Sequence, residues 1–134
     1  MPRTLPVESK NQWFQRGEAL RRNRKKRSKD GAFVVEGVRS LNQLEANAAW
    51  GIEALLYSPD HPLSDWAQDR LDSSRAAVHI EVSAPLMAEL SDKDEPSELL
   101  AVVTIPDDDA GRLGQGPNPL YVLVDQPSLS GNLG

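Results

Sequence analysis

The chain has 134 residues, 39% of them apolar and 26% charged, which fits one soluble globular domain with a linker or tail and leaves no room for a second full domain. Zero cysteines exclude a disulfide framework and thiolate metal sites, and His61 and His79 alone cannot build a zinc site. No apolar run reaches the length of a membrane helix, and MPRTLPVESK lacks the apolar core of a signal peptide, so the expected location is the cytoplasm. The net charge of −5 conceals a division: residues 1–30 carry +7 and the remainder −12. A split of this kind points to a local electrostatic contact made by the basic end, since the acidic body would repel phosphate.

In chain order, KNQWFQRGEALRRNRKKRSKDG predicts one basic amphipathic helix, with Trp13, Phe14, Gly17 and Leu20 on its docking side and the bases turned away. Gly17 weakens such a helix by roughly 1 kcal/mol relative to Ala, so docking must supply its stability. Asp30 and Gly31 end it. AFVVEG predicts a buried strand at 32–37. Val38, Leu41, Leu44 and Ala48 then predict a helix, with Gly51 as its stop. IEALLYS predicts a second strand at 52–58, and after the PDHP turn Leu63, Trp66, Ala67 and Leu71 mark another helix. AVHIEV predicts a third strand, followed by a short helix capped at Ser83 with Pro85 in its first turn. LLAVVTI predicts a strand at 99–105 after a polar loop.

PDDDAGRLGQGPNP has little to bury and the composition of a linker, after which LYVLVD predicts a strand buried on both faces. Alternation of this kind predicts an α/β fold in three layers, a central sheet between helices. A strand that opens a new parallel sheet cannot stand alone, so the last residues are expected to begin a further domain.

Nine bases fall between Lys10 and Lys29 with Glu18 as the only acid: Lys10, Arg16, Arg21, Arg22, Arg24, Lys25, Lys26, Arg27 and Lys29. They can neutralise several phosphates with release of counterions, and Arg can also grip a phosphate bidentately or stack on a base. The less favoured reading of the run is a solubilising tail or a targeting patch. Arg39, after the Glu36–Gly37 turn, opens a helix whose free amides and cation suit an RNA phosphate, although Glu36 and Arg39 could instead form a structural pair. Trp13, Trp50 and Trp66 fall on apolar faces and are expected to pack. Asp107, Asp108 and Asp109 are expected to be a solvated run, and Gly111, Gly114 and Gly116 lack the flanking strand and helix of a phosphate-cradling turn.

The succession of a basic helix, FVVEGVRS, LLYSPD, VSAPLMAELSD and LLAVV resembles the substrate-binding domain of SpoU (TrmH) RNA ribose methyltransferases. Phe33 to Arg39 is similar to the family's Phe-aliphatic-Glu-Gly-x-Arg segment, Leu86 to Asp92 to its Leu-x-x-Leu-Ser-Asp helix end, and VLVDQPSLSGNLG to the first strand and motif of its catalytic domain. The family more often has Gln-Gly where this chain has Ser97 and Glu98, and Asp-Pro-Gly-Asn where it has Leu129 to Asn132; the first motif's arginine is missing. LSDWAQDRL, NRKKRSKDG and DQPS are closer to the branch that confers orthosomycin resistance.

This resemblance implies a fold similar to ribosomal protein L30e and L7Ae, a basic arm and helix at 1–31, an RNA-binding domain at 32–105, a linker at 106–118, and at 119–134 the start of a truncated knotted methyltransferase domain. It implies RNA, most of all ribosomal RNA, as the partner, with Asn132 as half of a catalytic motif. No cofactor is expected in this chain, while S-adenosylmethionine is expected for the intact enzyme. The chain alone is expected to be an inactive monomer, and the intact enzyme a homodimer through its knot. The rival readings are a stand-alone L7Ae-like RNA-binding protein and a protein-interaction module that uses the acidic body.

Overall fold

The computed structural model describes residues 2–7, 11–125 and 128. It is an α/β domain with one five-stranded mixed sheet. Strand β1 (Arg3–Val7) precedes helices α1 (Gln12–Arg22) and α2 (Arg24–Asp30); β2 (Ala32–Glu36), α3 (Val38–Ala46), β3 (Gly51–Tyr57), α4 (Asp65–Asp72), β4 (Val78–Val82), α5 (Ala84–Leu90) and β5 (Leu99–Thr104) follow. The sheet order is β1-β4-β3-β5-β2, with β1, β4 and β3 parallel and β5 antiparallel to both β3 and β2.

Alternation along the strands divides the core into two layers. Ala54 and Leu56 of β3, Ile80 and Val82 of β4, and Leu100 and Val102 of β5 meet Phe14 and Leu20 of α1 and Leu86, Met87 and Leu90 of α5. On the opposite face Leu55, Leu99, Ala101 and Val103 meet Leu41 and Leu44 of α3 and Ala67 and Leu71 of α4. The three-layer expectation is met. A bulge between Ile52 and Ala54 lets Ile52 share a face with Leu55 although three positions separate them, and it leaves Glu53 at the sheet's end.

Four expectations are corrected. The first residues form a strand, β1, which runs beside β4. Its signal is weak because it is an edge strand in which only Val7 is buried, and an edge strand tolerates a proline such as Pro6. The single basic helix is two helices, broken at Asn23, whose backbone is extended (φ −123°, ψ 106°) and whose side chain accepts from the Lys26 amide at 3.2 Å. The docking stripe of Phe14, Gly17 and Leu20 would continue at Arg24 and Arg27, which cannot be buried there, so nothing holds the axis straight. Helix α3 stops at Ala46 and Gly51 opens β3, because Asn47 turns the chain by accepting from the Ala49 amide at 3.1 Å. LYVLVD forms no strand: no neighbour pairs with 120–125, and Leu120, Val122 and Leu123 are 88%, 80% and 97% exposed. Before it, 107–119 is exposed, and its one regular element is a 3-10 turn at Ala110–Arg112.

Leu20 has no exposure and sits between α1 and the sheet. Leu20→Ala is expected to cost about 3 kcal/mol in urea unfolding, the range for a buried leucine whose cavity cannot fully collapse. A loss under about 1 kcal/mol would mean that α1 is not docked as described.

Candidate nucleic-acid interface

The bases between Arg16 and Lys29 separate into two sets according to what their side chains touch. Three are part of the fold. Arg16 donates to both carboxylate oxygens of Glu53, at 2.9 and 2.7 Å, and to Asp30 at 3.4 Å. Arg21 donates to Glu36 at 2.6 Å, to Asp92 at 2.9 Å and to the Leu90 carbonyl, with its side chain only 10% exposed. Arg27 donates to the carbonyls of Leu20 and Arg21, both at 2.9 Å, closing the end of α1 that the break at Asn23 leaves open.

The second set faces solvent. Arg24, Lys25 and Lys29 are exposed and have no charged partner among the described residues. Arg22 and Lys26 hold only loose i,i+4 contacts, with Glu18 at 3.3 Å and Asp30 at 3.5 Å, which cost little to exchange for phosphate. Because α2 has no buried residue, its cations other than Arg27 are not spent on packing. Lys10 and Asn132 lie outside the described residues.

Glu36, which Arg21 of α1 holds, leads directly into the turn that opens α3. Gly37 adopts φ +91°, ψ 152°, a backbone that side-chain-bearing residues rarely reach, and no side chain caps the helix it starts. Arg39 is exposed in the first helical turn and pairs with nothing among the described residues. Glu36 does not pair with Arg39; its carboxylate takes Arg21 and, at 3.3 Å, the Ser91 hydroxyl. One residue was missed by sequence reasoning. Lys93 Nζ lies 2.7 Å from where a Cβ on Gly37 would stand, so this lysine covers the turn, hidden in the sequence by the acids of SDKDEPSE. In the same loop Glu98 accepts from the Ser64 amide at 2.6 Å and the Ser64 hydroxyl at 2.7 Å, fastening the loop to the start of α4.

The tryptophans pack, as expected: Trp13 against the α1 layer, Trp66 on the α4 layer with its indole donating to Asn42 at 2.9 Å, and Trp50 edge-on to Phe33 with ring centroids 5.7 Å apart. Asp109 accepts from the Gly111 amide at 2.8 Å, and no cluster of three metal-ligating side chains occurs among the described residues. Gly114 and Gly116 have open space on every side that a Cβ would occupy, so they cradle nothing.

Residues 11–101 match the family model described as the SpoU L30e-like domain. The chain belongs to this family. It is 38% identical over 134 residues to a 23S rRNA (uridine(2479)-2'-O)-methyltransferase from Streptomyces viridochromogenes, covering 99% of this chain and 46% of that protein. The structure of the SpoU methyltransferase AviRb from Streptomyces viridochromogenes, in complex with AdoMet, superposes with a TM-score of 0.67 at 38% identity, over 79% of this chain and 40% of that one. An RNA 2'-O ribose methyltransferase superposes with a TM-score of 0.67 at 24% identity, over 87% and 43%, and shows a shared fold. The chain thus spans less than half the length of the curated relative it matches.

Away from the cations, His79 of β4 is 8% exposed, and burial lowers its pKa from the usual 6.5 against the opposing pull of nearby Asp72. Its Nε2 has no hydrogen-bond partner among the described residues. The unfolded chain therefore takes up this proton first as pH falls, and stability is lost from about pH 6.5 downward until the folded imidazole titrates as well. Urea midpoints measured at pH 7.5 and 5.5 should fall for the native chain and fall less for His79→Leu; equal declines would show that His79 is not responsible.

The two sets of cations are separable by mutation. Arg21→Ala strands the nearly buried Glu36 carboxylate and should cost about 3 kcal/mol. Arg24→Ala with Lys25→Ala should leave the urea midpoint almost unchanged, since surface charges of this kind contribute little. Equal destabilisation by both would refute the division.

Proposed function

We propose that this chain is the RNA-recognition domain of an S-adenosylmethionine-dependent RNA 2'-O-ribose methyltransferase that acts on ribosomal RNA. The observation that carries the reading is the exposed set Arg22, Arg24, Lys25, Lys26 and Lys29 on the end of α1 and on α2, attached to an otherwise acidic domain. Arg39 and Lys93 extend it across the turn into α3. Family membership and the named activities of the relatives support RNA as the partner.

Transfer of a methyl group to a ribose hydroxyl needs a bound sulfonium donor, a group that orients or deprotonates the hydroxyl, and a hold on the target nucleotide. This domain supplies the hold. Arg22, Arg24, Lys25, Lys26, Lys29, Arg39 and Lys10 contact phosphates, while Arg16, Arg21, Arg27 and Glu36 keep the cation-bearing helices in place. Asn132 supplies half of the first catalytic motif, and the rest of donor binding and catalysis falls to the part of the relatives that this chain does not span. The division into an arm at 1–31, a recognition domain at 32–105, a linker at 106–118 and the start of a catalytic domain at 119–134 follows from that reading, with β1 and α1 contributing to the recognition domain's sheet and core. So do action in the cytoplasm and dimerisation through the catalytic domain; no helix of the described residues is long and apolar enough to cross a membrane.

Binding to ribosomal RNA fragments across a salt series tests the proposal. The native chain should bind with a steep negative slope. Replacing Arg22, Arg24, Lys25, Lys26 and Lys29 by Ala should flatten that slope by about 4 if each cation meets a phosphate. Failure of the native chain to bind at low salt, or an unchanged slope in the variant, would overturn the assignment.

A further inference from the structure

The electrostatic surface accounts for a hold on phosphates but not for recognition of a base. Strand β2 is the terminal strand of the sheet, and along its free side runs an open groove of about 480 Å³ on the α3 face. Phe33 and Trp50 give it an aromatic wall, Val35 and Leu44 line it, and Ser40 and Gln43 present polar groups from the exposed side of α3. Its acid, Glu36, is already neutralised by Arg21. Phe33 and Val34 also line a second cleft, of about 260 Å³, on the other side of β2, where Arg21, Arg27 and Asp92 complete the wall. The two cavities share Phe33 and Val34, so β2 alone separates the groove from the layer that carries α1 and α2.

We infer that this groove receives an unpaired base of the bound RNA, stacked against Phe33 and Trp50 and hydrogen-bonded by Ser40 and Gln43, while the flanking phosphates lie on the cations of α2 and on Arg39. The occupant follows from charge and shape together. An aromatic wall with a few amide and hydroxyl groups matches a base's face and edge. Arg39 lies one helical turn before Gln43, at the spacing that places two side chains side by side, so a phosphate attached to a base in the groove falls within its reach. A duplex keeps its bases stacked inside and presents none to such a groove. The inference rests on the RNA-recognition reading and adds to it a preference for loops or bulges over helices.

The test uses the full chain with two RNAs of equal length, a hairpin with an unpaired loop and a blunt duplex. Ser40→Ala with Gln43→Ala changes two exposed helical positions to the best helix former, so the fold should be undisturbed. The double variant should bind the hairpin about tenfold more weakly and the duplex as before. In a Trp13→Phe, Trp66→Phe background, where Trp50 is the remaining tryptophan, the hairpin should quench fluorescence and the duplex should not. Hairpin binding that survives the double substitution, with Trp50 unquenched, overturns the inference while leaving phosphate recognition intact. Loss of binding to both RNAs only when the α2 cations are removed, with no hairpin preference at any salt, has the same meaning. Absence of binding by the native chain to either RNA removes the recognition reading itself.

Discussion

Arg21 joins three parts of the chain that are far apart in sequence. From the end of α1 its guanidinium reaches Glu36 at the end of β2, the Leu90 carbonyl at the end of α5, and Asp92 in the following loop. A charge this buried is favourable only when its donors are matched, and here all three guanidinium nitrogens find acceptors. The consequence is geometric. The helix that leads to the cations, the strand that leads to the Gly37 turn and the loop that carries Lys93 are all positioned by one side chain. Arg16, which ties α1 to the bulged Glu53 and to Asp30, secures the other end of the same helix.

This arrangement explains why so basic a segment can lie on an acidic domain without being either a loose tail or a buried liability. Acids near the basic run are used to fix its frame: Glu36, Glu53 and Asp30 each hold an arginine, and Asp30 also takes Lys26 loosely. What remains unpaired is concentrated on α2 and at Arg39. Helix α2 follows a break at Asn23 and ends at Gly31, whose φ of 59° suits a residue without a side chain. Its position is thus set by its two caps and by Arg27, with no buried residue, which leaves Arg24, Lys25 and Lys29 without a charged partner among the described residues and Lys26 only loosely held by Asp30.

Much of the fold was legible in the sequence. The runs at 32–36, 51–57, 78–82 and 99–104 are apolar and β-branched, and the helices between them carry stripes at three- and four-residue spacing; tertiary packing then agrees with local preference. The failures share a cause. β1 buries a single residue, the break at Asn23 depends on an amide side chain meeting a backbone NH, and the end of α3 depends on a similar turn at Asn47. None of these leaves a periodic signal. LYVLVD failed in the opposite sense: its pattern is that of a buried strand, but a strand requires a neighbour, and the sheet of this domain ends at β1 and β2.

The basic run was legible as a whole but not in its parts. Composition makes Arg21 and Arg24 equivalent; the structure makes one a strut and the other a free charge, because only contacts made by residues tens of positions away separate them. The same holds for Glu36, whose partner is Arg21 and not the nearby Arg39. Lys93 shows the converse, since its acidic neighbours in the sequence conceal a cation that folding brings over the Gly37 turn. A count of charges therefore includes the arginines already committed inside the domain, and overlooks the lysine delivered from elsewhere. What a ligand meets is the remainder after the fold has satisfied itself, and that remainder is centred on α2 and the first turn of α3.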